Sequence, residues 1–319
     1  MLRTIGELGE PGLIGRVSAK FPQTADVIIG PGDDAAVTSA PDNRVVSSTD
    51  LLIEGRHFRR DWSSARDVGH KAVAQNFADI AAMGARPTGL LLGFAVPDDL
   101  PVAWVDGFAD GIAAECATAG GAVVGGDTVG APAVTVAITA LGDLGGAEAV
   151  RRSGARPGDT VAVTGNLGLS AAGYALLRAG ADGPDEALAE HRRPSPPYPQ
   201  GPRAAALGAS AMIDISDGLA HDLGHVARAS GVAVALDSSA LVPPAGLRSA
   251  VERLAELGGG HRGVREFMVA GGEDHALAAT FPPGTGPPDG WTTVGAVREG
   301  QGVTVDGRTP PPTSWNHFG

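Results

Sequence analysis

The chain has 319 residues, of which 43% are hydrophobic, and a net charge of −12 at pH 7. This length can hold two domains with separate cores, and the negative charge argues against nucleic acid or an anionic membrane as a partner. No apolar run approaches the roughly 18 residues that span a bilayer, and the N-terminus lacks the apolar core of a signal peptide, so we expect a cytoplasmic protein.

The sequence also excludes several kinds of site. The single cysteine, Cys116, cannot form an internal disulfide or a cysteine-based metal site, and its alanine-rich helical surroundings predict a packing role. A Walker-type phosphate loop with its lysine does not occur. Residues 30–35 fit the loose dinucleotide fingerprint, but the residues that follow look extended rather than helical, so we reject that interpretation.

Two predicted strands near the N-terminus each end in oxygen-bearing side chains. Residues 27–29 are apolar and precede Asp33 and Asp34, and the apolar residues 45–46 precede Ser48-Thr49-Asp50. A turn between the strands would bring these ends side by side, and such oxygen donors suit Mg²⁺. A lone Gly-Asp-Asp is also typical of a surface turn, so the metal hypothesis depends on further acidic sites.

A long helix carries the next acidic candidate. Ser64 and Asp67 form a capping-box pattern, and the helix is predicted to end near Met83, before Gly84 and Pro87. Asp79 lies on the same side of this helix as apolar core positions. An ionised carboxylate there needs a partner, for which we expect a metal; the alternative is a solvated position at the rim.

Further strands and helices complete the first half. We predict strands at 90–96 and 133–141, a helix at 101–119, and a strand at 122–124 that ends in Gly126-Asp127, the third acidic end. Glycines at 142–146 suggest a domain boundary. The predicted domains are residues 1–145 and residues 146–319.

The second half contains two more polar turns. A strand at 160–164 leads through a glycine turn into a helix, an arrangement that makes a good anion cradle, although two glycines at this spacing are weak evidence alone. Residues 182–203 are rich in proline and charge, and we expect an exposed excursion. The strand before Asp214 and Asp217 leads into another helix and forms the fourth acidic end.

Taken together, the acidic ends indicate one shared site. Many carboxylates cannot converge without cations, because like charges a few ångströms apart repel each other or take up protons. Several Mg²⁺ ions that bridge a nucleotide triphosphate would resolve this repulsion, and such a site performs phosphoryl transfer.

Several motifs then resemble the thiamine-monophosphate kinase family, of the aminoimidazole ribonucleotide synthetase superfamily. They run in order from about residue 5 to Phe318. The quoted segments are Gly30-Pro31-Gly32-Asp33-Asp34, Ser48-Thr49-Asp50, Gly55-Arg56-His57-Phe58, Asn76-Phe77-Ala78-Asp79, Gly125-Gly126-Asp127-Thr128, Arg152-Ser153-Gly154, Asp214-Ile215-Ser216-Asp217-Gly218 and Gly271-Gly272-Glu273-Asp274. The resemblance implies ATP- and Mg²⁺-dependent phosphorylation of thiamine monophosphate to thiamine diphosphate.

The resemblance also implies roles for individual residues. The implied metal ligands are Asp34, Ser48, Thr49, Asp50, Asp79, Asp127, Asp214 and Asp217. The implied ATP contacts are Gly126, Asp127, Arg152 and Ser216, and the implied thiamine-phosphate contacts are His57, Glu273 and Trp315. Asp50, Asp127 and Arg152 are the implied catalytic residues. His275 departs from the aromatic residue that the family often has after Glu-Asp.

Plainer interpretations of these residues stay open. His57 would then be a loop histidine, Trp315 a packing anchor of the C-terminus, Glu273 part of a turn, and Arg152 a surface charge. Other enzymes of the superfamily are alternatives, although a selenophosphate synthetase or a hydrogenase-maturation relative would be expected to carry a cysteine where this chain has none. A non-catalytic metal and nucleotide sensor is the alternative from another class.

The predicted fold class is α+β, with an N-terminal β-sheet domain that binds ATP and Mg²⁺ and a C-terminal α/β domain that completes the nucleotide and substrate site. The first-half strands would leave a sheet edge unpaired. The resemblance implies a homodimer in which the two N-terminal sheets form a barrel.

Overall fold

The computed structural model describes residues 4–31, 35–258 and 262–310. The chain divides into two compact units. The first comprises the residues up to Ile80 and Ala85–Gly146, and the second comprises Ala81–Gly84 and the residues from Ala147 onward. The predicted mixture of helices and sheets is confirmed. Over the described ranges, each helix is too short or too polar to cross a membrane.

A four-stranded sheet is the centre of the first unit. Its helices are α1 (Ile5–Leu8), α2 (Glu10–Ser18), α3 (Ala65–Ala82) and α4 (Val102–Ala119). Its strands are β1 (Val27–Ile29), β2 (Val37–Thr38), β3 (Val46–Ile53), β4 (Arg86–Val96), β5 (Ala122–Gly130) and β6 (Thr135–Asp143). The sheet has the order β3-β6-β4-β5, in which only β4 and β5 run parallel, and β1 pairs with β2 separately.

The two long helices of the first unit pack closely because glycines face each other's helix. A Cβ on Gly69 would lie 2.1 Å from the carbonyl oxygen of Phe108, and one on Gly111 would lie 2.1 Å from that of Arg66. Phe108 stacks on Phe94 of β4 at 4.6 Å between ring centroids. These contacts place α4 on one face of the sheet.

The open face of this sheet carries apolar side chains. Leu51 is 49% exposed, Leu91 is 41% exposed and Val129 is 61% exposed, whereas Leu52 and Leu92, one position along from the first two, are buried. Because side chains alternate between faces along a strand, the exposed residues share the face opposite the helices.

A six-stranded sheet is the centre of the second unit. Its strands are β7 (Thr160–Thr164), β8 (Ala211–Ile215), β9 (Ala233–Leu236), β10 (Ala276–Phe281), β11 (Thr292–Arg298) and β12 (Gly302–Val305). The order is β12-β9-β11-β7-β10-β8, antiparallel except for β12 with β9. Its helices are α5 (Leu169–Arg178), α6 (Asp185–Arg192), α7 (Gln200–Ala206), α8 (Leu219–Ser230), α9 (Leu247–Glu256) and α10 (Val264–Ala270).

Two expectations about local structure were wrong. The segment 182–203 is not an exposed excursion: it contains α6 and the start of α7, and Leu188 and His191 are buried. Nor do the strands end at their oxygen donors, since β3 continues past Asp50 and β5 continues past Asp127. The hydrogen bonds to the neighbouring strand continue past these polar residues in both strands.

Two local expectations are confirmed. Ser64 and Asp67 form the predicted capping box, in which Asp67 Oδ2 accepts from the Ser64 N–H at 2.9 Å and Ser64 Oγ accepts from the Asp67 N–H at 3.2 Å. Cys116 is fully buried in α4, and burial, followed by the nearby Glu115 carboxylate, raises the pKa of its thiol to about 12.

Candidate active site

In the first unit, strand β3 and helix α3 bring three of the predicted metal ligands together. The hydroxyl of Ser48 donates to Oδ2 of Asp79 at 2.6 Å. The main-chain N–H of Asp50 donates to Oδ1 of Asn76 at 3.0 Å, and Asn76 in turn donates to the carbonyl of Ala72 one turn earlier. Ser48 and Asp79 therefore bring a hydroxyl and a carboxylate oxygen together between the strand and the helix, and Asp50, two residues along β3, lies on the same face of the strand.

Thr49 lies between these residues on β3 but points the other way. Side chains alternate along the strand, and the Thr49 hydroxyl donates to the carbonyl of Ile138 on β6 at 2.8 Å. Within the described sheet, β3 pairs with β6 alone. A metal contact from Thr49 would thus come from a main-chain carbonyl at this edge.

Asp127 lies on the opposite edge strand, β5, and is exposed. The sheet register aligns it with Gly93, Ala137 and Leu51 in one row across the four strands. Residues in one row share a face, so the Asp127 side chain lies on the open face with Leu51, whereas Asp50 lies on the helix face. Three strand spacings of about 4.8 Å put these carboxylates on the order of 14 Å apart within one chain.

Gly126 precedes Asp127 at a place where β5 lies close to β4. A Cβ at Gly126 would lie 2.1 Å from the carbonyl oxygen of Leu92, so a larger residue would push the strands apart. The Asp127 carboxylate also accepts from the N–H of Thr128 at 2.9 Å, which orients it at the strand edge.

His57 lies in the turn after β3. Its Nδ1 accepts from the main-chain N–H of Ile53 at 3.0 Å, so the neutral ring carries its proton on Nε2. Asp33, Asp34 and Trp315 lie outside the described residues, and their predicted roles remain predictions.

In the second unit, the turn after β8 is organised by a carboxylate that our sequence reasoning missed. Oδ2 of Asp222, in the first turn of α8, accepts from the N–H groups of Ser216, Asp217 and Gly218, each at 3.0 Å. Burial, followed by the nearby Asp214 carboxylate, raises the pKa of Asp222 to about 7. An aspartate four residues into a glycine-capped helix is the signal that could have revealed this contact.

The turn that holds Ser216 and Asp217 is also clamped from the other side. The N–H of Glu273 donates to the Ser216 carbonyl at 2.7 Å, and the N–H of His275 donates to the Ile215 carbonyl at 2.8 Å. Glu273 and His275 both have positive φ, 60° and 51°, a conformation that stores about 1–3 kcal/mol per residue. Backbone strain of this kind is common at positions where function requires the side chain to point in a particular direction.

Between these two residues, Asp274 is fully enclosed. Its carboxylate accepts from the N–H groups of Gly168 at 2.5 Å and Ser170 at 3.1 Å, at the start of α5. Burial raises the pKa of Asp274 well above its ordinary value, although these two N–H donors oppose the shift. The predicted anion cradle of residues 165–168 is therefore occupied by the protein's own carboxylate, which corrects that interpretation.

The side chain of Glu273 contacts a residue from the segment that we expected to be exposed. His191 Nδ1 lies 3.4 Å from Glu273 Oε2 and 3.4 Å from the Ser170 hydroxyl. Next to it, Glu190 accepts from Asn166 at 3.0 Å and from Ser195. Helix α6 thus positions Glu273, and sequence reasoning missed both His191 and Glu190.

Arg152 is exposed, and its main chain is held by α8, because the Ser230 hydroxyl donates to the Arg152 carbonyl at 2.9 Å. The Arg152 charge also reaches His225 on the same helix, where burial first and the charges of His221, Arg228 and Arg152 next lower the pKa. Arg152 and the Asp217 turn are therefore both attached to α8.

Comparison with known proteins agrees with this arrangement. Residues 32–144 match the family described as AIR synthase related protein, N-terminal domain, and residues 156–280 match the corresponding C-terminal domain. The thiamine-monophosphate kinase of Mycobacterium tuberculosis is 47% identical over 99% of this chain and 93% of the relative.

The chain belongs to the thiamine-monophosphate kinase family, within the AIR synthase related proteins.

Solved structures of this family extend the similarity to three dimensions. The thiamine-monophosphate kinase of Stenotrophomonas maltophilia matches with a TM-score of 0.80 and 34% identity, over 93% of this chain and 96% of that one. AaThiL complexed with AMPPCP and TMP matches with a TM-score of 0.80 and 33% identity, over 98% of both chains. The thiamine-monophosphate kinase fold therefore covers both units of this chain.

Proposed function

We propose that this protein phosphorylates thiamine monophosphate to thiamine diphosphate, with ATP as the phosphate donor. The observation that carries the proposal is the full-length similarity to AaThiL, whose structure holds AMPPCP and TMP together. AMPPCP is an ATP analogue that cannot transfer its terminal phosphate through the usual bridging oxygen. A donor analogue and an acceptor bound in one complex are consistent with a direct transfer between them.

The oxygen cluster of the first unit supports Mg²⁺ as the cofactor. Ser48 and Asp79 hold hydroxyl and carboxylate oxygens 2.6 Å apart, beside Asp50. Hard oxygen ligands from few side chains, completed by substrate phosphates, are the set that Mg²⁺ takes. We assign several Mg²⁺ ions to Asp34, Ser48, Thr49, Asp50, Asp79, Asp127, Asp214 and Asp217. Bound there, they would neutralise the phosphate charges.

In the proposed reaction, a terminal phosphate oxygen of thiamine monophosphate attacks the γ-phosphorus of ATP in line with the leaving oxygen. The new P–O bond forms as the bond to the β,γ-bridging oxygen breaks, and ADP leaves. The acceptor phosphate is largely ionised near neutral pH, so a strong general base is unnecessary. Arg152 stabilises the charge that spreads over the transferred group.

The contacts in the second unit suggest how individual residues bind the substrates. The N–H of Ser216 is held by Asp222 and its carbonyl by Glu273, so we assign its ATP contact to the hydroxyl. Gly126 is assigned to an ATP contact beside Asp127 on β5. Glu273, aimed by its positive φ and by His191, is assigned with His57 and Trp315 to thiamine monophosphate.

The open sheet face supports a homodimer. Leu51, Leu91 and Val129 give this face an apolar character that is unusual for a surface in water. Closing two four-stranded sheets into a barrel across a two-fold axis would bury it and cover both edges. It would also bring Asp127 of one protomer toward the β3 edge of its partner. Sharing an ion requires such an approach, because Asp50 and Asp127 of one chain are too far apart to bind the same ion.

The proposed function is tested by measuring whether ATP consumption depends on the acceptor. Purified protein with Mg²⁺ should form ADP only when thiamine monophosphate is present, and thiamine diphosphate should accumulate mole for mole by mass spectrometry. ADP formation at the same rate without thiamine monophosphate would refute the proposed acceptor. Tight ATP binding with no turnover under either condition would favour a nucleotide sensor.

We place the reaction in the cytoplasm.

A further inference from the structure

Helix α8 carries two histidines one turn apart on a partly exposed side. The His221 side chain is 40% exposed, and His225 is partly exposed. Their rings lie 5.1 Å apart between centroids and are nearly perpendicular. The run His221-Asp222-Leu223-Gly224-His225 has the spacing of the H-E-x-x-H helix, in which two imidazoles at i and i+4 hold zinc, with aspartate in place of glutamate.

Asp222 supplies a third donor to this group. His221, Asp222 and His225 each offer one ligand atom, and these three atoms lie within 4.8 Å of one another. Among the residues that the structure describes, this is the one group of three or more histidine, cysteine or acidic side chains that are close enough to hold one ion. Asp222 is 2% exposed and is fixed by the three N–H groups of residues 216–218. A fixed carboxylate beside one exposed and one partly exposed imidazole offers three donor atoms to a single ion.

The donor chemistry distinguishes this cluster from the oxygen ligands assigned to Mg²⁺. Imidazole nitrogen suits zinc and the neighbouring transition ions, whereas magnesium takes carboxylate, hydroxyl and water oxygens. Burial and the nearby His221, Arg228 and Arg152 charges lower the pKa of His225, whereas Asp217 opposes the shift; a lowered pKa favours the neutral ring, the form that binds a metal.

Two arginines oppose a cation here: the Arg152 charge reaches His225, and Arg228 lies closer. Arg228 Nη2 donates to His225 Nδ1 at 2.9 Å, and its positive charge lies one helical turn from the cluster. Arg228 is exposed, so its side chain can swing into solvent when an ion binds. On the other side, Asp217 Oδ2 lies 3.9 Å from His221 Nε2 and favours positive charge.

We propose that His221, Asp222 and His225 form a binding site for zinc or a similar divalent transition ion, distinct from the magnesium ligands. The site does not depend on the proposed kinase activity, since its evidence is the geometry of α8. It would place a cation next to His221, whose Nε2 lies 3.9 Å from Oδ2 of Asp217.

Binding can be measured without any activity assay. Tag-free, chelator-treated protein is titrated with Zn²⁺ in competition with a chromophoric chelator, with excess Mg²⁺ present throughout. We expect one zinc per chain, and at least about tenfold weaker binding in His221→Ala and in His225→Ala, the scale on which loss of a metal-site group acts. Arg228→Ala should bind zinc more tightly, because the competing donor and its charge are gone.

His70→Ala is the matched control. His70 lies in the first unit, where its Nδ1 contacts Glu115 at 3.0 Å, and its loss should leave zinc binding unchanged. Thermal melting of each variant without metal verifies that it is folded, which the exposure of His221 favours. Zinc affinity unchanged in His221→Ala, or no saturable zinc binding by the wild-type protein, would overturn the proposal.

Discussion

Asp50 and Asp127 lie on the two edge strands of one four-stranded sheet and on opposite faces of it. If both hold metal in one active site, the two residues come from different protomers. This relationship makes the composition of the site testable by mixing variants. Asp50→Asn and Asp127→Asn alone should each lower turnover by orders of magnitude and leave the fold intact, since each removes a ligand charge rather than core volume.

Unfolding and refolding the two variants together should then restore activity. With random assembly, half of the dimers are mixed, and each mixed dimer has one site with both aspartates, so about a quarter of wild-type activity should return. Light scattering should show a dimer for every sample. A mixture as inactive as its components, or a fully active protein of 31.9 kDa, would contradict the shared site.

The contact between Ser48 and Asp79 leads to a second prediction. Asp79→Asn keeps the side-chain volume and an oxygen that can accept from Ser48, so the melting temperature should hold while turnover falls by orders of magnitude. Ser64→Ala on the same helix is the control: loss of the capping hydroxyl should reduce the free energy of unfolding by about 1 kcal/mol and leave turnover unchanged. Near-normal turnover of Asp79→Asn at saturating Mg²⁺ would remove Asp79 from the ligand set.

Asp222 predicts a pH dependence of stability in metal-free protein. Its folded pKa of about 7 exceeds the ordinary value of 3.8, so the folded state holds the proton more tightly than the unfolded chain. The resulting stabilisation is complete below about pH 4 and is lost as the pH rises to about 7.

The comparison with Asp222→Asn isolates this effect, because the amide oxygen can still accept the three N–H bonds. Urea unfolding of both proteins should show the wild type losing free energy of unfolding relative to the variant between about pH 4 and pH 7, with a constant difference above. Parallel pH profiles across this interval would show that Asp222 titrates normally.

Asp274 yields a prediction about the start of α5. Asp274→Ala leaves the N–H groups of Gly168 and Ser170 buried without their acceptor, and each such loss reduces the free energy of unfolding by about 1–3 kcal/mol. Asp274→Asn retains one oxygen acceptor and should be less destabilised. Equal stability of wild type and Asp274→Ala by urea unfolding would mean that water or another group replaces the carboxylate.

Trp315 is proposed to contact thiamine monophosphate, and the test asks whether it stacks on a ring of that substrate. Stacking on a heteroaromatic ring contributes about 1–3 kcal/mol, so Trp315→Ala should raise the KM for thiamine monophosphate roughly tenfold to a hundredfold and leave that for ATP nearly unchanged. Initial rates with each substrate varied in turn provide the measurement. An unchanged acceptor KM together with a lower melting temperature would support the packing-anchor interpretation.

Local sequence signals predicted the elements whose ends are set by nearby residues. The capping box of Ser64 and Asp67 predicted the start of α3, and the strand predicted at 160–164 coincides with β7. These features depend on contacts within a few residues, which is the range that a sequence pattern can report.

Contacts between distant residues were beyond such patterns. Asp274 accepts from Gly168, 106 residues earlier, and so fills the glycine turn that we had interpreted as an anion cradle. In the proline-rich segment, α6 is buried because Leu188 packs into the core and Glu190 binds Asn166. The composition of a segment gives only its average polarity, whereas the tertiary fold determines which distant residues its side chains contact.

The buried thiol of Cys116 has a practical consequence. It is the one cysteine in the chain, it is enclosed in α4, and its pKa of about 12 keeps it protonated. Thiol-directed dyes and spin labels react with thiolates that solvent can reach. A cysteine introduced on the surface, at Ser153 beside Arg152 for instance, would therefore be labelled alone in the native protein, so fluorescence could follow substrate binding without first removing a native cysteine.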